Sequence, residues 1–193
     1  MNFCSDCVSA ALDFEVPEGD NLPRYVCRNC QRIHYTNPKI VAGCLPVWED
    51  QVLLCRRAIE PRRAYWNIPS GYLENGETVE EGAERELWEE ARAQVDLQGL
   101  HALFSIPHIN QVYIHFLGIL QEGAFAVGEE SLEARLFTEN EIPWDAIAFS
   151  SSVFSLRQFF ADRRSRRRQV HIGRMTYSEQ GQKLGYEKSP LKS

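Results

Sequence analysis

Between residues 71 and 93 the sequence reads G-Y-L-E-N-G-E-T-V-E-E-G-A-E-R-E-L-W-E-E-A-R-A, and no other stretch of the 193-residue chain is so lopsided in charge. Thr78 with Glu81 three residues later has the pattern of a capping box, so a helix is expected from there to about residue 93. At 3.6 residues per turn Val79, Ala83 and Leu87 form its apolar face. Glu86, Glu89 and Glu90 stand at i, i+3 and i+4, so three carboxylates share one surface. Like charges so spaced disfavour a helix by roughly 0.2–0.5 kcal/mol per pair, and more when partly buried, so a cation is the natural partner. Hard oxygen donors on a rigid element suit Mg²⁺ or Mn²⁺, which also bridge to phosphates. Arg85 lies four residues after Glu81 and four before Glu89, a spacing that permits salt bridges to both. The alternative is a solvated acidic helix, the ordinary fate of a Glu-rich run.

What surrounds the run argues against that alternative. The spacing G-x5-E-x7-R-E-L-x-E-E resembles the signature of the Nudix hydrolases, with Gly71, Glu77, Arg85, Glu86, Leu87, Glu89 and Glu90 on motif positions and Ala93 on the final aliphatic one. One position departs: Arg92 stands where the family usually has glycine, so the helix is expected to run slightly further or to end differently. The resemblance implies an α/β protein, an α/β/α sandwich around a mixed sheet. It implies catalytic Mg²⁺ or Mn²⁺ held by Glu86, Glu89 and Glu90, with the Gly71 backbone carbonyl facing the metals and an Arg85–Glu77 pair fixing the loop to the helix. A further carboxylate completes the metal set or acts as base in many family members; Glu130 is the first candidate and Glu133 the second.

Four of the six cysteines fall near the start as Cys4-x2-Cys7 and Cys27-x2-Cys30, nineteen residues apart. In a reducing compartment this spacing reads as a structural Zn²⁺ site whose four thiolates leave no place for water. Two disulfides are the alternative. The pattern resembles a zinc ribbon. Arg24, Arg28 and Arg32 are diluted by Asp6, Asp13, Glu15, Glu18 and Asp20, which argues for packing rather than nucleic-acid binding. With 193 residues, 44% of them hydrophobic, the expected organisation is a ribbon over 1–37, a catalytic domain over 38–165 and a tail or arm over 166–193. A net charge of −6 offers no basic field for nucleic acid or anionic membrane. No stretch approaches the ~18 apolar residues of a membrane span, and the opening M-N-F-C-S-D-C is unlike a secretory signal, so a cytoplasmic protein is expected.

Residues 40–48 and 51–57 alternate as two strands joined by Glu49-Asp50, a hairpin pattern, with Cys44 and Cys55 as core thiols. Residues 100–107, 111–120 and 134–137 are the next strands, and residues 147–160 a helix with Val153, Leu156, Phe159 and Phe160 on one face. Arg56 and Arg57 suit phosphate contact and surface solvation equally well. Trp66 reads as a packing residue before a base stack, and His108 in its loop as solvated before substrate-touching. The run D-R-R-S-R-R-R over 162–168 reads as a solvated helix end, with phosphate or RNA contact as the other use.

The ribbon, I-H-Y-T-N-P-K, I-E-P-R-R-A-Y-W-N-I-P-S-G-Y-L-E-N-G-E and E-S-L-E-A-R-L-F together resemble ribbon-bearing Nudix hydrolases whose plant members cleave FAD and ADP-ribose. Related NADH diphosphatases carry S-Q-P-W-P-F-P-x-S after the box, where this chain has F-S-I-P-H-I-N-Q. The resemblance therefore implies hydrolysis of a small ADP-linked diphosphate, ADP-ribose to AMP and ribose 5-phosphate or FAD to AMP and FMN. A homodimer follows by analogy with ADP-ribose hydrolases. A non-catalytic nucleotide sensor and an RNA-end-directed hydrolase are the rival readings.

Overall fold

Four thiols organise the first of two units in the computed structural model, which describes residues 1–178 and 183–189. That unit, Met1–Pro38, holds a three-stranded antiparallel sheet of β1 (Leu12–Glu15), β2 (Arg24–Cys27) and β3 (Ile33–His34). The Sγ atoms of Cys4 and Cys30 lie 3.6 Å apart and those of Cys7 and Cys27 3.5 Å. All four ligand atoms fall within 4.8 Å of one another. A zinc tetrahedron with bonds of about 2.3 Å has edges of about 3.8 Å, so the donor set fits that ion. The thiols are free, which sets aside the two-disulfide alternative. Hydrogen bonding from Asn29, then from the Ser9 backbone, brings the Cys7 thiol down to about 6, toward the thiolate that a metal requires.

The second unit, Lys39–Ser193, is built on strands whose successive side chains point to opposite faces. In chain order it comprises β4 (Lys39–Trp48), β5 (Gln51–Arg57), β6 (Trp66–Asn67), β7 (Ser70–Tyr72), α1 (Val79–Ala91), β8 (Val95–Ile106), β9 (Gln111–Leu120), β10 (Ser131–Phe137), α2 (Ser150–Ser165), β11 (His171–Tyr177) and β12 (Lys183–Lys188). The strands form one sheet in the order β10-β5-β4-β9-β8-β11-β12, with β6 paired to β5 and β7 to β4. It is mixed: β4 with β9 and β8 with β11 run parallel, and the other pairs antiparallel. Ala42 and Cys44 of β4 and Leu53 and Cys55 of β5 pack with Ala83, Leu87 and Ala91 of α1. The intervening Leu45, Val47, Val52 and Leu54 pack with Leu156, Phe159 and Phe160 of α2. Two helices on two faces give the expected α/β/α sandwich, and Cys44 and Cys55 are buried within it.

Several elements differ from their sequence expectation. The strand expected over 100–107 begins earlier, at Val95, because it pairs with β9 over almost its whole length. The helix expected from residue 147 begins at Ser150; Ile147 instead bridges to Trp66 and enters the core. The segment read as a tail or arm supplies β11, which adds in parallel to β8, and β12, which pairs with β11. Met175 of β11 reaches 6% exposure beside Phe104 and Phe154, which is the apolar burial that fixes it. The parts of that reading on residues 179–182 and 190–193 lie outside the described residues. Among the described residues no helix is long and apolar enough to cross a membrane.

Beneath α2 lies a buried polar layer that periodicity does not reveal. Ser155 Oγ meets His115 Nδ1 at 2.6 Å, His101 Nε2 meets the Ser155 carbonyl at 3.0 Å, and His171 Nε2 meets Asp162 at 2.8 Å. Asp162, read as part of a solvated basic run, is therefore half of a buried contact. Arg163, Arg164 and Arg168 of that run are occupied by the Glu49 carbonyl, Glu139 and the Gln98 carbonyl. Burial pulls the His115 imidazole down to about 3, and lowers His101 as well, against the opposing pull of the Ser155 carbonyl.

Two outcomes are expected. Purified protein carries one zinc equivalent per chain, and Cys27→Ser abolishes it; elemental analysis that finds no zinc, or zinc unaffected by the substitution, contradicts the site. In the second unit the unfolded chain takes up protons on His101 and His115 that the folded chain refuses. Their contribution to stability is then full above the ordinary histidine range near 6.5 and is lost below it, by about 1.4 kcal/mol per pH unit for each histidine, until the folded groups titrate. Imidazole signals of His101 or His115 that titrate near pH 6.5 in the folded protein, followed by NMR, would count against this assignment; the raised Glu86 and Glu90 act on the net midpoint with the opposite sign.

Candidate active site

Helix α1 begins where the sequence places it: Thr78 Oγ1 accepts from the Glu81 N–H at 3.2 Å, and the Glu81 carboxylate accepts from the Thr78 N–H at 2.8 Å. It ends at Ala91, two residues before the expected stop, and Arg92 takes the left-handed conformation (φ 46°) usually reserved for glycine, with its N–H on the Trp88 carbonyl. The site thus keeps a glycine-type helix end, at the conformational cost of a side chain there.

Three carboxylates leave this helix toward a cleft of about 620 Å³. Glu90 is 4% exposed and Glu86 8%, while Glu89 stands half open. Ser70 donates its backbone N–H to Glu90 at 3.1 Å, and Gly71 lies so close to Glu86 that a Cβ there would fall 2.3 Å from the carboxylate. Burial pushes Glu90 up to about 8, the Ser70 N–H opposing and the Glu86 and Glu130 charges adding; burial also raises Glu86. An all-oxygen set of carboxylates beside a glycine turn fits a divalent cation of the Mg²⁺ or Mn²⁺ kind.

Arg85 is the protein's own counter-charge. It meets Glu77 at 2.8 Å, Glu86 at 2.7 Å and Glu89 at 3.5 Å, and donates to the Tyr72 carbonyl at 3.1 Å. Glu81, the other partner its spacing allows, is engaged in the cap. The Arg85 guanidinium, together with the Glu74 N–H, holds Glu77 down to about 2.

Of the remaining sequence candidates, the structure places Glu130 and Arg57 on the cleft wall. It does not bring the others there. Arg56 donates to the Ala64 carbonyl and lies 3.8 Å from Glu133, because alternation turns it to the other face of β5. Trp66 packs edge-on against Phe137. His108 stacks on Tyr177 at 4.2 Å, a contact supplied by the strand read as a tail.

A model of the NUDIX domain family matches residues 37–157, and the N-terminal Nudix zinc-ribbon family matches residues 2–36. The chain belongs to the Nudix hydrolase family. A Nudix hydrolase structure from Nitrosomonas europaea is 47% identical, with a TM-score of 0.86, covering 91% of this chain and 99% of that one. An ADP-ribose pyrophosphatase of Methanocaldococcus jannaschii is 28% identical over 115 residues, 56% of this chain and 67% of that protein. The NAD-capped RNA hydrolase NudC of Edwardsiella ictaluri is 36% identical over 73 residues, 36% of this chain and only 27% of that protein.

Sequence reasoning missed the groups that seat this Nudix helix from outside the motif. Gly128 donates to the Glu90 carbonyl at 2.9 Å, and a Cβ on it would sit 1.8 Å from the Glu89 carbonyl oxygen. This wedge, two residues before Glu130, needs a glycine; its only signal in the sequence is a Gly at the foot of an acidic pair. The cleft residues Tyr72, Gln111, Tyr113 and Phe149 were likewise missed, since they come from β7, β9 and the start of α2.

Two substitutions separate helix geometry from metal chemistry. Arg92→Gly relieves the left-handed side chain and is expected to raise stability by up to about 1 kcal/mol, its exposed contacts with Glu129 and Trp88 being worth little. Gly71→Ala displaces Glu86 and is expected to weaken Mn²⁺ binding at least tenfold, with circular dichroism and melting close to wild type. Calorimetric Mn²⁺ titration that leaves Gly71→Ala unaffected would remove this glycine from the site.

Proposed function

We propose that this Nudix hydrolase cleaves the diphosphate of a small ADP-linked nucleotide with Mg²⁺ or Mn²⁺, converting ADP-ribose to AMP and ribose 5-phosphate or FAD to AMP and FMN. The observation that carries the reading is the convergence of Glu86, Glu89 and Glu90 with Gly71 and Glu130 in one cleft, with burial raising the two inner carboxylates. The similarity to a named ADP-ribose pyrophosphatase supports the substrate class. The divalent ion, when bound, neutralises the diphosphate and activates a water.

The chain's own groups do the rest. Glu86 and Glu90 are fixed donors, because the Ser70 N–H and Arg85 hold them in place. Glu89, half open to the cleft, is the donor that adapts to the bound phosphate. Glu77 and Arg85 clamp the loop after β7 onto α1, so that the carboxylates and Gly71 keep one spacing. Glu130 takes the proton of the attacking water, a role its position on the cleft wall supports. Arg57 adds a positive charge to the wall, with its guanidinium held 5.1 Å over the Phe149 ring. We further place the protein in the cytoplasm, where free cysteines remain available to zinc.

The similarity to an NAD-capped RNA hydrolase raises the RNA-directed reading. The engagement of Arg163, Arg164 and Arg168 within the fold removes much of the basic run that reading would use. Retention of all the motif carboxylates favours catalysis over a sensor.

The test is Mg²⁺-dependent AMP release from ADP-ribose, FAD, NADH and diadenosine compounds, beside Glu89→Gln and Glu90→Gln. Efficient cleavage of ADP-ribose or FAD that falls ~10²-fold or more in the variants is the expected result. Binding without cleavage under either metal would leave a sensor instead.

A further inference from the structure

One wall of the cleft is built to present a side-chain amide. In register, Tyr72 of β7 pairs with Val41 of β4, and Val41 with Tyr113 of β9, so the two tyrosines stand in one row about two strand spacings, roughly 10 Å, apart. Gln111, two residues before Tyr113, shares its face. Its Nε2 donates to the Tyr72 hydroxyl at 2.8 Å, and its Oε1 accepts from the Tyr113 hydroxyl at 3.1 Å. Lys39, paired with Gln111 across the sheet, lies 4.9 Å over the Tyr72 ring and steadies it.

A primary amide has two N–H donors and two acceptor sites on its oxygen. Among the described residues the tyrosines use one of each and hold the group at both ends, which leaves one N–H and one lone pair at the edge of a cleft-lining residue. That edge matches adenine, which offers an N6–H donor beside a ring-nitrogen acceptor, the pairing by which glutamine reads adenine elsewhere. Guanine presents two acceptors on its N7 edge, and its N1 edge carries a second donor, N2–H, that a single amide leaves unpaired. Ile106 and Ile109, which line the same cleft, supply apolar surface for a flat base. Tyr72 is 50% exposed, so burial does not demand this network, and it follows Gly71, the residue against Glu86, directly in the chain.

We propose that Gln111, oriented by Tyr72 and Tyr113, is the adenine-reading residue of this cleft. The inference rests on the ADP-linked reading above and adds the group that selects the base. The nucleotide then lies with its base on the β9 side of β4 and its diphosphate at β7 and α1, one residue along β7 from the phenol that orients the amide.

The experiment measures AMP and GMP binding to the full-length protein by calorimetry, together with KM and kcat for ADP-ribose, in wild type, Gln111→Leu and Gln111→Glu. Wild type is expected to bind AMP at least tenfold tighter than GMP. Gln111→Leu loses about tenfold for AMP with no gain for GMP, and raises KM far more than it lowers kcat. In Gln111→Glu the carboxylate only accepts, so it suits the paired N1–H and N2–H donors of guanine, and the AMP-to-GMP preference falls at least tenfold. A merely structural network would not yield that swing. Equal binding of AMP and GMP by wild type, or equal weakening of both in Gln111→Glu, overturns the proposal. If AMP preference follows Gln111 while no diphosphate is cleaved, the base site stands and the hydrolase reading falls.

Discussion

The energetic problem at the centre of this fold is two glutamates, Glu86 and Glu90, buried on adjacent turns of one helix. Water is withdrawn from both, the charge of Glu86 disfavours that of Glu90, and those of Glu89 and Glu130 disfavour that of Glu86. Such a pair is tolerated only where the surroundings return what water supplied. Arg85 does so for Glu86, and the Ser70 N–H does so in part for Glu90. The Arg85–Glu77 bridge, the close approach of Gly71 and the Gly128 wedge all hold these groups where a cation can complete the compensation. The residual upward pull on Glu90 measures how far the protein alone falls short.

The legibility of each element follows the range of the interaction that makes it. The capping box, the apolar stripe of α1 and the β4–β5 hairpin rest on residues close together in the chain, and β9 on its own alternation, so their residues announce them. The end of α1 was less legible because Arg92 is a poor left-handed residue, and only the pairing of 126–128 with the helix end shows what the chain does there. Strand β11 was unreadable as such. Its seven residues alternate weakly, and its partner β8 lies about seventy positions earlier, so its strand character comes from the sheet it joins. The three core histidines carried no periodic signal, since their partners are a serine and an aspartate on another element.

The same division runs through the site. Residues of one contiguous motif could be read together, and the structure brings Glu77, Arg85, Glu86, Glu89, Glu90 and Gly71 together. Residues chosen one at a time fared according to strand parity: Arg57 faces the cleft and its neighbour Arg56 does not. Gln111 gave no sign at all, because what distinguishes it is two tyrosines on different strands.

The loop that carries Gly128 also carries Glu130, and the one from β5 to β6 carries Ile59 and Pro61 on the cleft wall. The first is locked by backbone hydrogen bonds to the end of α1, so its length is frozen with the carboxylates. The second touches none of the α1 carboxylates through any hydrogen bond among the described residues. Its first residue, Ala58, donates to the Glu130 carbonyl at 2.8 Å, so only the stretch beyond Ala58 can be lengthened or recomposed without reaching a cleft carboxylate. Within this architecture, the shape of that cleft wall and the setting of the α1 carboxylates are therefore heritable as separate traits.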